Sequence, residues 1–332
     1  MNNLQRIIVV AGARGNLGKL ICDALLSRAR TDGRPVLVRG LVRKSSAHAA
    51  SADAPASPAD RQLGIELAIE PVDYHSDDDL NRVCAGAYCV VSALQGLEDV
   101  IVGVQSRLLN AAIKAGARRF IPSDYSLDIT KLPVGANRNF DLRLIFHQRA
   151  AEIIRQSNST LEFTSIFQGA FMELLGTGWV LFDYKKRRVT YLGSPDTVME
   201  FTTIANTAEF TAAVAMDPNP TPSKLLIAGA QLTAKQAQDA AKRVTGVDFG
   251  LKRLMSVGMI RRIIGLMRFF KPGKKDEVMP MWVRMQYGYC MALGVASPGR
   301  LDNDRYQGLR WTGPDEVIRK AFDAEVARER RQ

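Results

Sequence analysis

Ile7-Ile8-Val9-Val10-Ala11-Gly12-Ala13-Arg14-Gly15-Asn16-Leu17-Gly18 is the stretch that decides the fold of this chain. Its first five residues form a continuous apolar, mostly β-branched run, which predicts a strand buried on both faces of a parallel sheet. Three glycines spaced GxxGxxG follow. Leu17, Leu20, Ile21, Ala24 and Leu25 then recur at the three- and four-residue spacings of an amphipathic helix. In such a strand–turn–helix the first glycine makes the tight turn and the second lets the backbone approach a pyrophosphate. The third lets helix and strand pack closely. The pyrophosphate would sit on the unsatisfied amides and positive dipole of the helix start. A strand before and a helix after are the context that gives a glycine pattern its meaning. Gly12, Arg14, Gly15, Asn16, Leu17 and Gly18 are therefore candidates for dinucleotide binding.

Further strand candidates lie at 36–42, 65–72, 89–92, 119–122 and 161–166, with helical patterns such as 104–115 and 146–156 between them. Strands alternating with helices predict βαβ units, hence an α/β doubly wound parallel sheet. Residues 45–62, SSAHAASADAPASPADRQ, have no periodicity and are expected to be a surface loop. Beyond Gly169 the order weakens. Lys185-Lys186-Arg187-Arg188 with Val189-Thr190-Tyr191-Leu192 suggests a hairpin arm, 223–228 a further strand, and the pattern from Thr233 onward is mostly helical. The expected organisation is a nucleotide-binding domain over 1–168, with part of 197–230 returning to it. A smaller, mostly helical α+β substrate domain over 169–332 completes it.

Composition narrows the class. With 332 residues, 46% of them hydrophobic and 24% charged, the chain can build a full core and is not of the disordered type. Lys and Arg number 45 against 34 Asp and Glu, a net +11 that attracts anions. Nucleic-acid binding needs a reading motif besides charge, and none is visible. The four cysteines are scattered without a CxxC pair, which argues against a disulfide framework or zinc site and suits a reducing cytosol. Three histidines are too few for a His-rich site, so no metal is expected. The start turns to glycines too soon for a signal peptide. The stretch 163–182 carries Gln168, Glu173 and three glycines, unlike a membrane span. The expectation is a soluble, cytoplasmic protein without integral membrane contact.

The end of the second strand bears on the cofactor. An acidic residue there binds the 2′-hydroxyl of NAD, whereas an arginine accommodates the 2′-phosphate of NADP. Here the residues are Arg43-Lys44, and Arg14 of the glycine loop can reach the same region. Guanidinium binds phosphate bidentately, so Arg43 is the first candidate and NADP(H) the expected cofactor. Asp73, ending the third strand, would accept from the adenine amino group or else form a turn.

IIVVAGARGNLGKLICDALL, LVRKS, VVSALQG, RRFIPSDYSLD and LEFTSIFQGAFMELL occur in this order, followed by TTIANTAEFTAAVA and KLLIAGAQLTAKQAQDAAKRVTG. Together they resemble the NmrA-like, isoflavone-reductase-like branch of atypical short-chain dehydrogenases/reductases, closely to about residue 246 and loosely beyond. RFIPSDYSLD, similar to the PSEFG-type motif at the end of the fifth strand, is the most specific piece. The resemblance implies an NADPH-binding Rossmann domain with a cleft formed by the C-terminal part. Ala93 and Leu94, and Ser123 and Gln168 at the carboxyl ends of strands, join the cofactor-binding candidates. Reductase members deliver hydride to a conjugated or aromatic small molecule; other members bind dinucleotide as redox-responsive regulators.

The catalytic pattern departs from both relatives. Ordinary short-chain dehydrogenases use Tyr-x-x-x-Lys, but Tyr125 is followed four on by Ile129, Tyr184 by Arg188 and Tyr191 by Pro195. Isoflavone-reductase-like enzymes place a lysine on the helix before the sixth strand. Here that helix reads FHQRAAEIIRQSN, and the matching position is His147, Gln148 or Arg149. His147 would titrate near neutral pH and donate a proton; Arg149 would only polarise a carbonyl or bind cofactor. Tyr125, beside Ser123 and Asp124 at the carboxyl end of a parallel strand, is the phenolic candidate, and Lys131 a further one. Gln168 and Gly169 end the sixth strand and would meet the nicotinamide carboxamide or cap the strand. The expectation is an NADPH-dependent reductase of a small apolar carbonyl or conjugated compound, monomeric or homodimeric. The alternative is a dinucleotide-sensing regulator without turnover.

Residues 251–275 carry eight basic residues and no acid. On a helical wheel Arg253, Arg261, Arg268 and Lys271 are read as one stripe, leaving a broad face of Leu254, Val257, Ile260, Ile264 and Met267. One reading is a peripheral membrane or acidic-partner surface. The favoured one is a helix whose apolar face is core, because such helices usually pack on their own domain. In MWVRMQYGYCMALG, Met281, Met285, Tyr289 and Ala292 are expected as a core stripe, a set that would also suit a flat apolar substrate.

Overall fold

The computed structural model describes residues 5–44, 57–177, 180–296 and 300–331. The chain divides into two compact units. The first comprises Met1–Asp124, Leu142–Ile166 and Thr207–Leu225, and the second Tyr125–Asp141, Phe167–Asn206 and Leu226–Gln332.

The first unit is a doubly wound α/β layer structure. Six strands, β1 (Arg6–Ala11), β2 (Val36–Arg43), β3 (Ile65–Val72), β4 (Ala87–Ser92), β5 (Arg119–Ile121) and β6 (Glu162–Phe163), form one parallel sheet in the order 3-2-1-4-5-6. Helices α1 (Asn16–Asp32), α2 (Pro58–Leu63), α3 (Asp77–Cys84), α4 (Gln105–Lys114) and, from Leu142 onward, α5 (Arg138–Gln156) alternate with the strands. Helix α6 (Ile204–Met216) joins this unit from Thr207 onward. The expected β-branched runs are the central strands: Ile8 to Ala11 are fully buried, as are Val36, Val38, Cys89, Val90 and Val91. α1 buries Gly18, Ile21, Cys22, Leu25 and Ala29 at the anticipated spacing, and stops at Gly33 in a left-handed cap with φ of 60°. Because β1 pairs β2 on one side and β4 on the other, the order reverses at Ala11 and Ser92. Open α/β sheets bind ligands at such a switch point.

Several local expectations change. The loop read at 45–62 lies outside the described residues up to 56. Beyond it, Pro58–Leu63 is helical: Pro58 starts the helix and the Ser57 hydroxyl accepts from the Asp60 amide. Proline at the first helical position and a serine cap favour a helix too short to show periodicity. The helix expected from 104 is preceded by one π-helical stretch, Asp99–Val104. The strand read at 161–166 is broken into Glu162–Phe163 and Ser165–Phe167.

The second unit holds two three-stranded sheets. In one, Arg188–Leu192 pairs antiparallel with Phe182–Asp183, the anticipated hairpin, and parallel with Gly250–Met255. In the other, Met199–Thr202 lies between Ala170–Phe171 and Ala230–Leu232. Helices α7 (Ala234–Thr245), α8 (Val257–Phe270), α9 (Met281–Ala292) and α10 (Pro314–Glu329) belong to this unit. Its core gathers Phe182, Tyr184, Val189, Phe249, Ala237, Ala241, Ile318 and Phe322. Gly250–Met255 was expected as the start of a helix; pairing with Arg188–Leu192 makes it a strand and puts Lys252, Arg253 and Leu254 on it. In α9 the buried side chains are Trp282, Val283, Gln286 and Cys290, whereas Met281 is exposed and Met285, Tyr289 and Ala292 are half-buried. The methionine stripe is thus not the core face. No helix of the described residues is long and apolar enough to cross a membrane.

Candidate active site

The glycine loop stands at the carboxyl end of β1. Gly12 has φ of +83°, and a Cβ there would lie 2.8 Å from the Ala93 carbonyl oxygen. At Gly18 a Cβ would lie 2.1 Å from the Gly12 carbonyl oxygen. Both positions exclude a side chain for internal reasons. Gly15 differs: its φ is −69°, and a Cβ there would lie 3.3 Å from the Gly12 carbonyl oxygen, a tight but not prohibitive approach. Gly15 caps α1 without a side-chain hydrogen bond, and the first turn carries no acid. The helix start therefore keeps its positive end for an outside anion.

A residue absent from the sequence-based candidates sets this loop. The Tyr74 hydroxyl, 6% exposed, donates to the Leu41 carbonyl (3.1 Å) and accepts from the Gly12 amide (3.2 Å). It ties the turn after β1 to the end of β2. Burial pushes its phenol up to about 12, so it stays protonated and keeps both roles.

At the end of β2, Arg43 is exposed and makes no ion pair among the described residues. Lys44 is held by Asp79 at 2.6 Å. Arg14 is exposed on the glycine loop. The Asp73 carboxylate accepts from the His75 amide at 2.9 Å, the turn-forming alternative of its two expected roles.

Ala93 and Leu94 follow β4; the Ala93 amide donates to the Ala11 carbonyl (2.9 Å). The Leu94 carbonyl accepts from the Ser123 hydroxyl (2.6 Å), and the Gln105 side chain accepts from the Ser123 amide (3.0 Å). Gln105 is fully buried at the junction of the π-helical stretch with α4, a place where such bulges often serve a site. Arg143 of α5 donates to the Ser123 carbonyl at 2.8 Å.

The three positions weighed for the missing lysine differ in exposure on α5. Gln148 and Arg149 are exposed, and Arg149 pairs with Glu152 at 3.0 Å. His147 turns inward: Nε2 lies 2.6 Å from Asp124 Oδ2, and the ring stands edge-on to Phe163 at 5.5 Å. Asp124 is fully buried, and its other oxygen has no hydrogen-bond partner among the described residues. The first unit thus brings together the glycine loop, Arg43, Ala93, Leu94, Ser123 and His147.

Tyr125, Lys131 and Gln168 belong to the second unit. Tyr125 is half-buried. Lys131 ends a short helical turn that the Asp128 side chain caps, and its ammonium reaches the Val295 carbonyl at 3.5 Å. Gln168 is 1% exposed; its amide donates to the Ser126 carbonyl (2.9 Å) and its carbonyl accepts from Thr202 (2.7 Å). Its side-chain oxygen is buried without a donor among the described residues.

The sheet order and the glycine turn at its switch point define a protein of the Rossmann class. The sequence profile of the NmrA-like family matches residues 5–270, and the chain belongs to that family. An NmrA-like family domain-containing oxidoreductase of Gibberella moniliformis is 25% identical over 235 residues, 70% of this chain and 74% of the other. Oxidoreductase aprR of Aspergillus flavus is 25% identical over 250 residues, 74% of this chain and 75% of that one. Among solved structures, AtPrR2 with NADP+ and (+)pinoresinol has a TM-score of 0.70 at 17% identity, covering 96% of this chain and 99% of its own. An isoflavone reductase has a TM-score of 0.68 at 18% identity, covering 95% and 99%.

Proposed function

We propose that this chain is an NADPH-dependent reductase of a small apolar carbonyl or conjugated compound. The observation that carries the reading is the start of α1: an uncapped, acid-free helix end behind Gly15, at the switch point of the sheet, with Arg43 exposed nearby. The amides of Asn16, Leu17 and Gly18 would hold the pyrophosphate, and Arg43, with Arg14, the 2′-phosphate. Lys44, already paired with Asp79, is the weaker partner. The buried oxygen of Gln168 suits an amide donor such as the nicotinamide carboxamide. NADP-bound AtPrR2 and the oxidoreductase relatives support the same cofactor and reaction class. The reduced cofactor, when bound, supplies a hydride.

An acceptor oxygen that gains negative charge needs a proton or a positive group within hydrogen-bond reach. Tyr125 directly follows Ser123 and Asp124 at the carboxyl end of β5, the end at which open α/β sheets bind ligands, and we assign the proton donor to it. Tyr125→Phe should lose about 10²- to 10⁴-fold in turnover while NADPH affinity is kept. Full activity in that variant overturns the assignment. The broader test is NADPH oxidation in the presence of quinones, enones and aromatic aldehydes. Tight NADPH binding without consumption on that panel would favour a dinucleotide-sensing regulator. The absent Tyr-x-x-x-Lys dyad and the Asp124-bound His147 motivate this second reading.

A further inference from the structure

We propose that α8 and the basic segment after it dock the protein on an anionic lipid surface. A helix packed on its own domain shows one apolar stripe and covers it. α8 shows two. Ile260 and Ile264 are buried, and the helix packs against α9. Met259, Leu266 and Phe270 fall within about 40° of one another on a separate face, about 120° round the helix from Ile260 and Ile264, at 100° per residue. They are 53%, 58% and 71% exposed. Phe269, beside them, is 78% exposed and meets Phe270 edge-on at 5.0 Å. Such a set of large exposed apolar side chains marks a surface for something else.

Charge says what that something is. Residues 251–275 contain eight basic residues and no acid; the acids resume only at Asp276 and Glu277. Arg262, Lys271, Lys274 and Lys275 are exposed around the apolar stripe. A second copy of the chain would set like charges against like. An acidic protein would satisfy the cations but would need a pocket for two protruding phenyl rings at a helix end. A bilayer interface accepts both at once, with rings among the upper acyl chains and cations at the headgroups. This is the arrangement of an interfacial amphipathic helix, with aromatic and leucine side chains on one side and Arg/Lys beside them.

Vesicle co-sedimentation of the full chain tests the proposal. Vesicles of phosphatidylcholine mixed in equal parts with phosphatidylglycerol should pellet the protein, and vesicles of phosphatidylcholine alone should not. Raising the salt should weaken the binding. The paired substitution Phe269→Ser, Phe270→Ser should lower the partition coefficient about tenfold or more. Lys271→Glu with Lys274→Glu should abolish the preference for anionic vesicles. Thermal stability should stay at the unsubstituted value in both variants, since these side chains are exposed. Three results overturn the proposal. The first is failure to pellet with anionic vesicles. The second is binding to soluble polyglutamate as strong as to vesicles and indifferent to the phenylalanine pair. The third is self-association that the same pair abolishes while vesicles remain unbound.

Discussion

Arg43 and Gly15 carry the two most direct tests of the cofactor assignment. If Arg43 holds the 2′-phosphate, its removal costs a charge-assisted hydrogen bond, about 1.5–3 kcal/mol or roughly ten- to a hundredfold in affinity. Arg43→Ala should weaken NADPH by that factor and leave NADH nearly unchanged in a fluorescence titration; equal losses would remove Arg43 from the site. The glycines separate a binding role from a folding role. Gly15 has ordinary φ, and a Cβ there would lie 3.3 Å from the Gly12 carbonyl oxygen, a tight approach that a shift of a few tenths of an ångström relieves, so Gly15→Val should lower the melting temperature far less than Gly18→Val and lose both dinucleotides. Gly18→Val should instead lower the melting temperature, because its Cβ would lie 2.1 Å from the Gly12 carbonyl oxygen. The glycine pattern was legible because turn chemistry is local: strand, glycines and helix are contiguous. Tyr74 was not, since its value lies in reaching Leu41 and Gly12, residues far away in sequence. No spacing rule announces a phenol that ties two strand ends together.

At the scale of elements, the junction of β5, β6 and α6 rests on one buried cation. Arg119 is fully buried, pairs with Glu162 of β6, and donates to the carbonyls of Val214, Asp217 and Asn219 around the end of α6. Arg119→Ala leaves the carbonyls of Val214, Asp217 and Asn219 without this donor and Glu162 with only Arg118 and Thr221 as partners, and should cost about 1–3 kcal/mol in urea unfolding. Replacing both partners, Arg119→Met with Glu162→Leu, should recover only part of this, because the carbonyls stay unsatisfied. Desolvation pushes the Glu162 carboxyl up, but the Arg119 guanidinium and Thr221 outweigh it and hold the group below its ordinary range. A depressed carboxylate contributes stability above its unfolded pKa and loses it as pH falls through the folded value. The unsubstituted protein should therefore lose melting temperature on acidification below about pH 4.5, and the double variant should lose less. A double variant with the same acid limb would assign that loss to other carboxylates. The alternation of strands and helices around this junction was readable from hydrophobic period. Gly250–Met255 was not: KRLM carries no strand signal, and its state follows from pairing with Arg188–Leu192. In α8 the expected core positions Ile260 and Ile264 are buried, whereas the second apolar stripe, at Met259, Leu266 and Phe270, is seen only in the packed chain.

For the whole molecule, the cysteines link sequence arithmetic to a measurable property. Four thiols without a spacing motif suggest neither disulfide nor zinc, and the structure supplies the physical state behind that count. Cys22, Cys84, Cys89 and Cys290 are all buried and none is in a disulfide. Burial pushes the thiols of Cys84, Cys89 and Cys290 up to about 12. The thiolate is the reactive form, and at neutral pH its share at such a site is on the order of one part in 10⁵, before access is considered. Native protein should thus react with an aromatic disulfide reagent only as fast as it opens or unfolds. Denatured protein should release about four equivalents of chromophore at once. Protection should also be graded by unit. Cys22, Cys84 and Cys89 sit in the first unit and Cys290 in the second, so partial unfolding of one unit exposes a distinct count. If NADPH binds the glycine loop, saturating cofactor should slow labelling of the first three by stabilising that unit, by a factor approaching its occupancy ratio. Cys290 labelling should be less affected. Equal protection of all four thiols would mean that the units open together. A thiol labelled rapidly in the native state would contradict the burial on which its pKa depends.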